Sequence, residues 1–301
     1  MKRSLCVGPP RAIVAFSLVS LSLFLPVSLL AQSPSDLDVR DKTELFLQHI
    51  VKVARIDPAK YVALVLEYEI GTALAELLAA SDKEGEEAGA KENPVGFVLG
   101  DFVERAIQEI HPAYAKLVGL VEAGKLAEGR AAARDLSGSS DPYVAAHAAL
   151  ALAEIEYRSL EEARSAALIV DADWERLVKA CERIVSKDRL YLTRDWRASE
   201  LIACSFQKLK KPLLEFVQYA ILLTDYNDLP AEVTARAKER LAALTKEVGF
   251  PLSSVAEWMD QVEKLLAKEV TSKEPTQRKE TEIVYALDKL IELQEARERK
   301  T

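Results

Sequence analysis

"HAALALAEIEYRSLEEARSAA", residues 147 to 167, sets small side chains against large ones on a helical period. Leu150, Ile155 and Leu160 are the large apolar members, and Ala151, Ala163, Ala166 and Ala167 are the small ones. Nothing in the stretch could cut, oxidise or hold a metal. Small residues let two helix axes approach closely and large ones fill the space that remains, so the stretch reads as a surface for packing a neighbouring helix. The rest of the chain reads the same way. The 301 residues include only 11 glycines and show no sustained two-residue alternation, which leaves little room for a sheet. The expected class is all-α.

Helices are expected at Asp36 to Arg55, Asp57 to Ala80, Phe97 to Ile110, Pro112 to Ala123, Lys125 to Leu136, Pro142 to Tyr157, Leu160 to Val170, Asp173 to Val185, Asp195 to Leu209, Pro212 to Thr224, Pro230 to Val248 and Leu252 to Lys268. Their connections are mostly short, and short links make successive helices antiparallel neighbours. In the second helix Val62, Leu66, Ile70, Ala73 and Leu77 recur at three and four residues with Leu64, Val65 and Tyr68 beside them, so it is expected to be largely buried. "SDKEGEEAGAKENP", residues 81 to 94, has no apolar periodicity and is read as a mobile acidic loop; its carboxylates do not have the spacing of a calcium-binding loop.

Residues 1 to 31 are an address rather than a part of the fold. Lys2, Arg3 and Arg11 precede an uncharged apolar run, Ala12 to Leu30, that ends at "LLAQSPSD", the pattern of a secretory signal cleaved after Ala31. The run is also long enough to stay as a membrane anchor, although Pro26 disfavours a spanning helix. Cleavage removes three basic residues and changes the formal charge from −8 to −11. An exported periplasmic or extracellular product is expected, with membrane contact only through an uncleaved signal. Without a Lys/Arg stripe, nucleic-acid binding is excluded. Two cysteines remain, Cys181 and Cys204, read either as buried thiols or as a disulfide.

The opening stretch has a twin. "LAEGRAAA", 126 to 133, falls on "LEEARSAA", 160 to 167, at an offset of 34 residues with five identities in eight positions. Such self-similarity signals an internal repeat. With Leu150, Ala151 and Ala163 at the leucine and small positions and Gly124 at a turn, the region resembles the tetratricopeptide repeat, whose period is 34 residues. His147, Glu154 and Arg158 stand where that pattern has tryptophan, tyrosine and the turn glycine, and about 70 residues follow the register. "FQKLKKPLLEFVQYAILL", 206 to 223, resembles another such turn.

The resemblance implies antiparallel helical hairpins stacked as a right-handed array over 36 to 270, with a groove lined by the first helix of each unit. The groove positions carried over are Tyr114, Val118, Val121 and Glu122, then Ala148, Leu152, Ile155 and Glu156. That lining is apolar and lacks basic residues, which suits an apolar helix or an extended peptide; alternatively the protein's own helices cover it. After "TSKEPTQRK" a charged amphipathic helix spans the last part of 275 to 301. Its stripe of Ile283, Leu287, Leu290 and Ile291 either caps the array or joins a second copy.

Catalytic signals are absent. His49, His111 and His147 lie in no metalloprotease or thiol motif, and there is no phosphate loop or nucleophile elbow. No catalytic residue, cofactor or metal ligand is expected. Trp174, Trp196 and Trp258 read as core anchors. The preferred function is an exported non-enzymatic scaffold or adaptor that binds a protein or peptide in the cell envelope. A structural subunit that homo-oligomerises through the C-terminal helix is second. An all-helical glycan-cleaving enzyme is third and would need a perturbed carboxyl in a cleft.

Overall fold

A computed structural model describes residues 38–52, 56–81, 94–164, 170–226 and 229–248, together with positions 284, 285, 288 and 291. Ten α-helices occupy the described residues, and no strand occurs among them. They are α1 Val39–Lys52, α2 Pro58–Ser81, α3 Pro94–Ile110, α4 Pro112–Glu122, α5 Leu126–Ser137, α6 Pro142–Arg164, α7 Asp171–Arg183, α8 Trp196–Lys208, α9 Pro212–Asp225 and α10 Ala231–Val248. A π-helical turn, Ile184–Asp188, and a 3-10 turn, Arg189–Tyr191, join α7 to α8. None of the described helices is long and apolar enough to cross a membrane. The expected signal at 1–31, the acidic segment 82–93 and the helix Leu252 to Lys268 lie outside the described residues.

Local chemistry starts the helices where the sequence puts Asp and Pro. Asp57 Oδ1 accepts from the Ala59 amide at 2.7 Å with Pro58 opening α2. Asp141 Oδ1 accepts from the Tyr143 and Val144 amides at 2.9 and 3.3 Å with Pro142 opening α6. An Asp before a Pro fits these roles, because the carboxylate satisfies an orphan amide and the proline has none to lose.

Two hairpin turns share one geometry. At the end of α4 the Gly124 amide donates to the Val121 carbonyl and the Lys125 amide to that of Leu120; at the end of α8 Lys210 donates to Gln207 and Lys211 to Phe206. Both turns place one residue at positive φ, Gly124 at 71° and Lys210 at 55°. This is the two-bond helix ending in which a left-handed residue follows the last turn.

Neighbours in sequence pack on one another: α2 on α3, α4 on α5, α5 on α6, α7 on α8, α8 on α9 and α9 on α10, while α1 packs on α3. One core joins α1, α3, α4 and α6 around Phe46, Ile107, Leu117 and Ile155. A second joins α6 to α9 around Trp174, Cys181, Ile202 and Leu213, and a third closes α8, α9 and α10 around Leu222 and Leu244. Both Cys181 and Cys204 are free thiols. Burial is the largest factor raising the pKa of each, so they are poor nucleophiles.

Two expectations are corrected here. Pro142 to Tyr157 and Leu160 to Val170 are not separate helices: α6 runs through from Pro142 to Arg164. Neither Arg158 nor Ser159 can break it, and the Ser159 hydroxyl donates back to the Ile155 carbonyl at 2.8 Å. The octet at 126 therefore opens a helix, while its partner at 160 begins inside the end of one. Nor is α2 buried on its predicted face. Leu64 is buried with Val65 and Tyr68 beside it, whereas Leu66, Ile70 and Leu74 are exposed by 52, 67 and 51 %. The Leu64 side of α2 faces α3 and α1; the Leu66–Ile70–Leu74 side faces away from them.

Candidate functional site

Helix α6 organises the middle of the molecule because all of its sides are used. With about 3.6 residues per turn, Val144, Ala148 and Ile155 share one side and enter the first core, while Ala146, Ala153 and Tyr157 share the opposite side and enter the second. The two sides between them border cavities. Ala145, Ala149, Leu152, Glu156, Leu160 and Ala163 line a cleft shared with α5 and α7, with a volume of about 860 Å³. Around the helix from them, His147, Ala151 and Glu154 line a smaller cavity of about 260 Å³.

The cleft has a small-residue floor. Ala145, Ala149 and Ala153 come one per turn along α6, and Ala180 faces them from α7. Leu152, Leu160 and Leu177 add apolar lining, and Arg134, Glu156, Asp173, Arg176, Arg183 and Asp188 add charge. There Arg134 pairs with Glu156 at 3.3 Å, Arg130 with the same carboxylate at 3.0 Å, and Arg176 with Asp173. Ion pairs of this exposed kind contribute little stability and leave the cleft without a strong net field.

The smaller cavity is lined by charged side chains together with Leu150, Ala151, Trp196 and Pro230. Glu104 of α3, Tyr114 of α4, Arg194, Trp196 and Arg197 at the start of α8, and Glu232 of α10 meet His147 and Glu154 there. Arg194 binds Glu104 at 3.0 Å and also Asp101; Arg197 binds Glu154 at 3.0 Å and also Glu200. Burial, followed by the charges of Glu154 and Glu122, raises the Glu104 pKa above the ordinary carboxylate value. His147 is buried, and burial brings its pKa down to about 4 against the opposing effect of a hydrogen bond with the Tyr191 backbone. Its Nε2 has no hydrogen-bond partner.

The predicted groove divides. Leu152 and Glu156 line the cleft, but Tyr114, Ala148 and Ile155 are 2, 0 and 0 % exposed, enclosed by the protein's own helices. Val118 and Val121 pack on the first core, and Glu122 is exposed at the end of α4. Ala145, Ala149 and Leu160, on the same side of α6 as Leu152 and Glu156, are not among the predicted groove positions; an alanine at every fourth position is the available signal. Ile283, Leu287 and Leu290 lie outside the described residues, and Ile291 is 56 % exposed. Nearby Tyr285 docks: its hydroxyl donates to Glu182 at 2.7 Å and its ring meets Phe206 edge-on at 5.9 Å.

Of the histidines, His49 Nε2 lies 3.1 Å and His111 Nε2 3.6 Å from the Asp141 carboxylate. Among the described residues no group of three or more His, Cys, Asp or Glu side chains has the arrangement of a metal site. Compared with protein-family models, curated proteins and solved structures, the chain matches none.

Proposed function

We propose that the chain is an exported, non-enzymatic interaction scaffold of tetratricopeptide-like helical hairpins, and that its α5–α6–α7 cleft receives an apolar segment of a protein partner in the cell envelope. The observation that carries this reading is the alanine floor at Ala145, Ala149 and Ala153 together with Leu152, Leu160 and Leu177. A cleft of that size, lined by small and apolar residues together with paired charges, has the character of a binding site, and it suits one face of a peptide helix or strand. Selection of a displayed peptide library on the purified chain tests it. Peptides with regularly spaced apolar residues should be enriched, and Ala149→Trp, which fills the floor, or Leu152→Lys, which adds a charge to the lining, should weaken them by about tenfold or more. Equal binding to both variants, if they remain folded, would overturn the reading.

A second reading is self-assembly through the C-terminal helix, supported by Val284 and Ile291, each 56 % exposed. A molecular mass that rises with concentration would favour it. The glycan-cleaving alternative has one support, the raised pKa of Glu104 inside a cavity. Arg194 already engages that carboxylate, which opposes a role as proton donor. Hydrolysis of envelope glycan by the wild type and none by Glu104→Gln would establish it.

A further inference from the structure

Helix α2 is apolar on two sides, and the fold covers one of them. Leu64 is buried, Val65 and Tyr68 pack beside it in the first core, and the Tyr68 hydroxyl donates to Glu44 of α1 at 3.1 Å. On the other side Leu66, Ile70 and Leu74 recur at every fourth residue and are exposed, with the exposed Ala63 and Ala73 beside them. The remaining large apolar side chains exposed among the described residues, Val51, Val170, Val284 and Ile291, lie off this helix. A helix that is apolar on both sides is normally covered on both, and a contiguous exposed apolar stripe marks an interaction surface.

The spacing of the stripe identifies its occupant. Ile70 lies at the middle of α2, Pro58–Ser81, with Leu66 and Leu74 at equal distances on either side, so the pattern reads alike in both directions. A second α2 crossing antiparallel about a two-fold axis at Ile70 sets each Leu66 against the Leu74 of its twin, the self-complementarity that an isologous interface requires. Charge agrees with that register. Glu67 is paired with Arg105 of α3 at 2.8 Å, and Glu67 and Glu69 fall opposite Ala73 and Gly71 of the second copy, so like charges do not meet. Antiparallel helices also bring unlike dipole ends together. Residues 61 to 81 contain no Lys or Arg, which leaves nothing to attract an anionic lipid surface. With its three large side chains more than half exposed, each copy offers on the order of 350 Å² of apolar surface. Two such faces with their flanking residues bury on the order of 1,000 Å², the lower end of specific interfaces, so the pairing is expected to be reversible, with a micromolar Kd.

We propose that this face joins two copies of the chain as a reversible two-fold dimer, α2 against α2 with Ile70 on the axis. The proposal goes beyond the scaffold reading and is independent of it, since α2 contributes no residue to the α5–α6–α7 cleft. It also sets the joint apart from the C-terminal helix.

Sedimentation of the purified chain at rising micromolar concentration tests it. The wild-type mass should climb from one chain toward two, and Ile70→Glu, at an exposed position, should keep the fold and stay at one. Cysteine cross-linking tests the axis. Ile70→Cys should form a covalent dimer with itself under copper phenanthroline, with wild type as the control for the native thiols. Leu66→Cys should not, because the two copies of that position lie about 12 Å apart along the helices, beyond the roughly 7 Å reach of a disulfide. A single-chain mass at every concentration, a rise that Ile70→Glu leaves unchanged, or equal cross-linking at both positions would overturn the proposal, the second of these placing the joint away from α2. A wild-type monomer that floats with phosphatidylglycerol vesicles while Ile70→Glu does not would also overturn it, making the occupant a lipid surface.

Discussion

Lys42 Nζ donates to Asp195 Oδ1 at 2.7 Å, joining α1 to the residue that precedes α8 across 153 positions of sequence, with both side chains almost fully buried. Arg189 Nε approaches the other carboxylate oxygen at 2.9 Å as an ion pair outside hydrogen-bond alignment, and its guanidinium lies 4.8 Å from the centre of the Tyr226 ring. One carboxylate therefore ties the first described helix to the turn that positions Arg194, Trp196 and Arg197. Lys42→Ala leaves Asp195 buried with one cation fewer, and should cost about 3–5 kcal/mol by chemical denaturation, because an incompletely compensated buried charge remains. Lys42→Met combined with Asp195→Asn removes both charges and should recover a large part of that loss. Equal destabilisation by the single and double changes would show that packing rather than charge holds the junction.

Acid should weaken the start of α6. Burial of Asp141 would raise its pKa, but the hydrogen bond with His49, the Val144 amide and the charges of His49 and His111 outweigh this and lower it below 3.8. A carboxylate with a lower pKa in the folded chain contributes stability that is complete above its unfolded value and is lost as pH falls through the folded one. Thermal unfolding followed from pH 7 downward should show wild-type Tm declining more steeply below pH 3.8 than that of Asp141→Asn, which caps without titrating. At neutral pH, Asp141→Ala should cost about 0.5–2 kcal/mol through the lost cap.

The two hairpin turns allow an internal comparison. Gly124 and Lys210 have the same place and the same sign of φ, but a side chain pays about 1–2 kcal/mol in left-handed helical geometry where glycine does not. Lys210→Gly should therefore stabilise the protein by roughly 0.5–1 kcal/mol, with part of the gain offset by the greater freedom of the unfolded chain. Gly124→Ala should destabilise it by about 1 kcal/mol. A shift in the denaturation midpoint of opposite sign for the two changes is the expected result; a loss in both would mean that Lys210 makes a compensating contact.

These turns also show what was legible. Pro and Asp placed the helix starts at α2, α4, α6 and α9 because their preferences are local, acting through one amide or one fixed φ. The turn at Lys210 lacks a glycine, and "FQKLKKPLLEFVQYAILL" signals it only through its resemblance to a repeat turn. The expected break after Tyr157 does not form, because Arg158 and Ser159 are neither Gly nor Pro, and a match of side-chain identities across a repeat carries no helix stop. Gly129 shows the same difference. Matched to Ala163 in sequence, it is the point where α5 meets α4 and α6, and a Cβ there would lie 3.3 Å from Val121 Cγ2 and 3.4 Å from Ile155 Cδ1. Ala163 instead lines the cleft. Periodicity told which residues of α6 were apolar, but four used sides left no polar face to orient it, and so Ala148 and Ile155 were assigned to a groove while Ala145 and Ala149 were not.

Tyr285 is the contact through which the capping and joining roles of the C-terminal segment can be told apart by experiment. Its hydroxyl bonds Glu182 on α7 and its ring lies against Phe206 on α8, while Val284 on the adjacent position is exposed. A segment docked through one side chain and open at the next can close the second core by itself and still offer an apolar edge. Tyr285→Ala removes a half-buried edge-to-face pair and a hydrogen bond to a carboxylate, together about 1–3 kcal/mol. If the segment is a cap, hydrogen exchange should accelerate across 281–300 and along α7 and α8, with the molecular mass unchanged at every concentration. If it is a joint between copies, the same variant should change the mass, and wild type should show protection of 281–300 that increases with concentration. The aromatic contact favours the first outcome, because it is made within one chain and does not depend on a second.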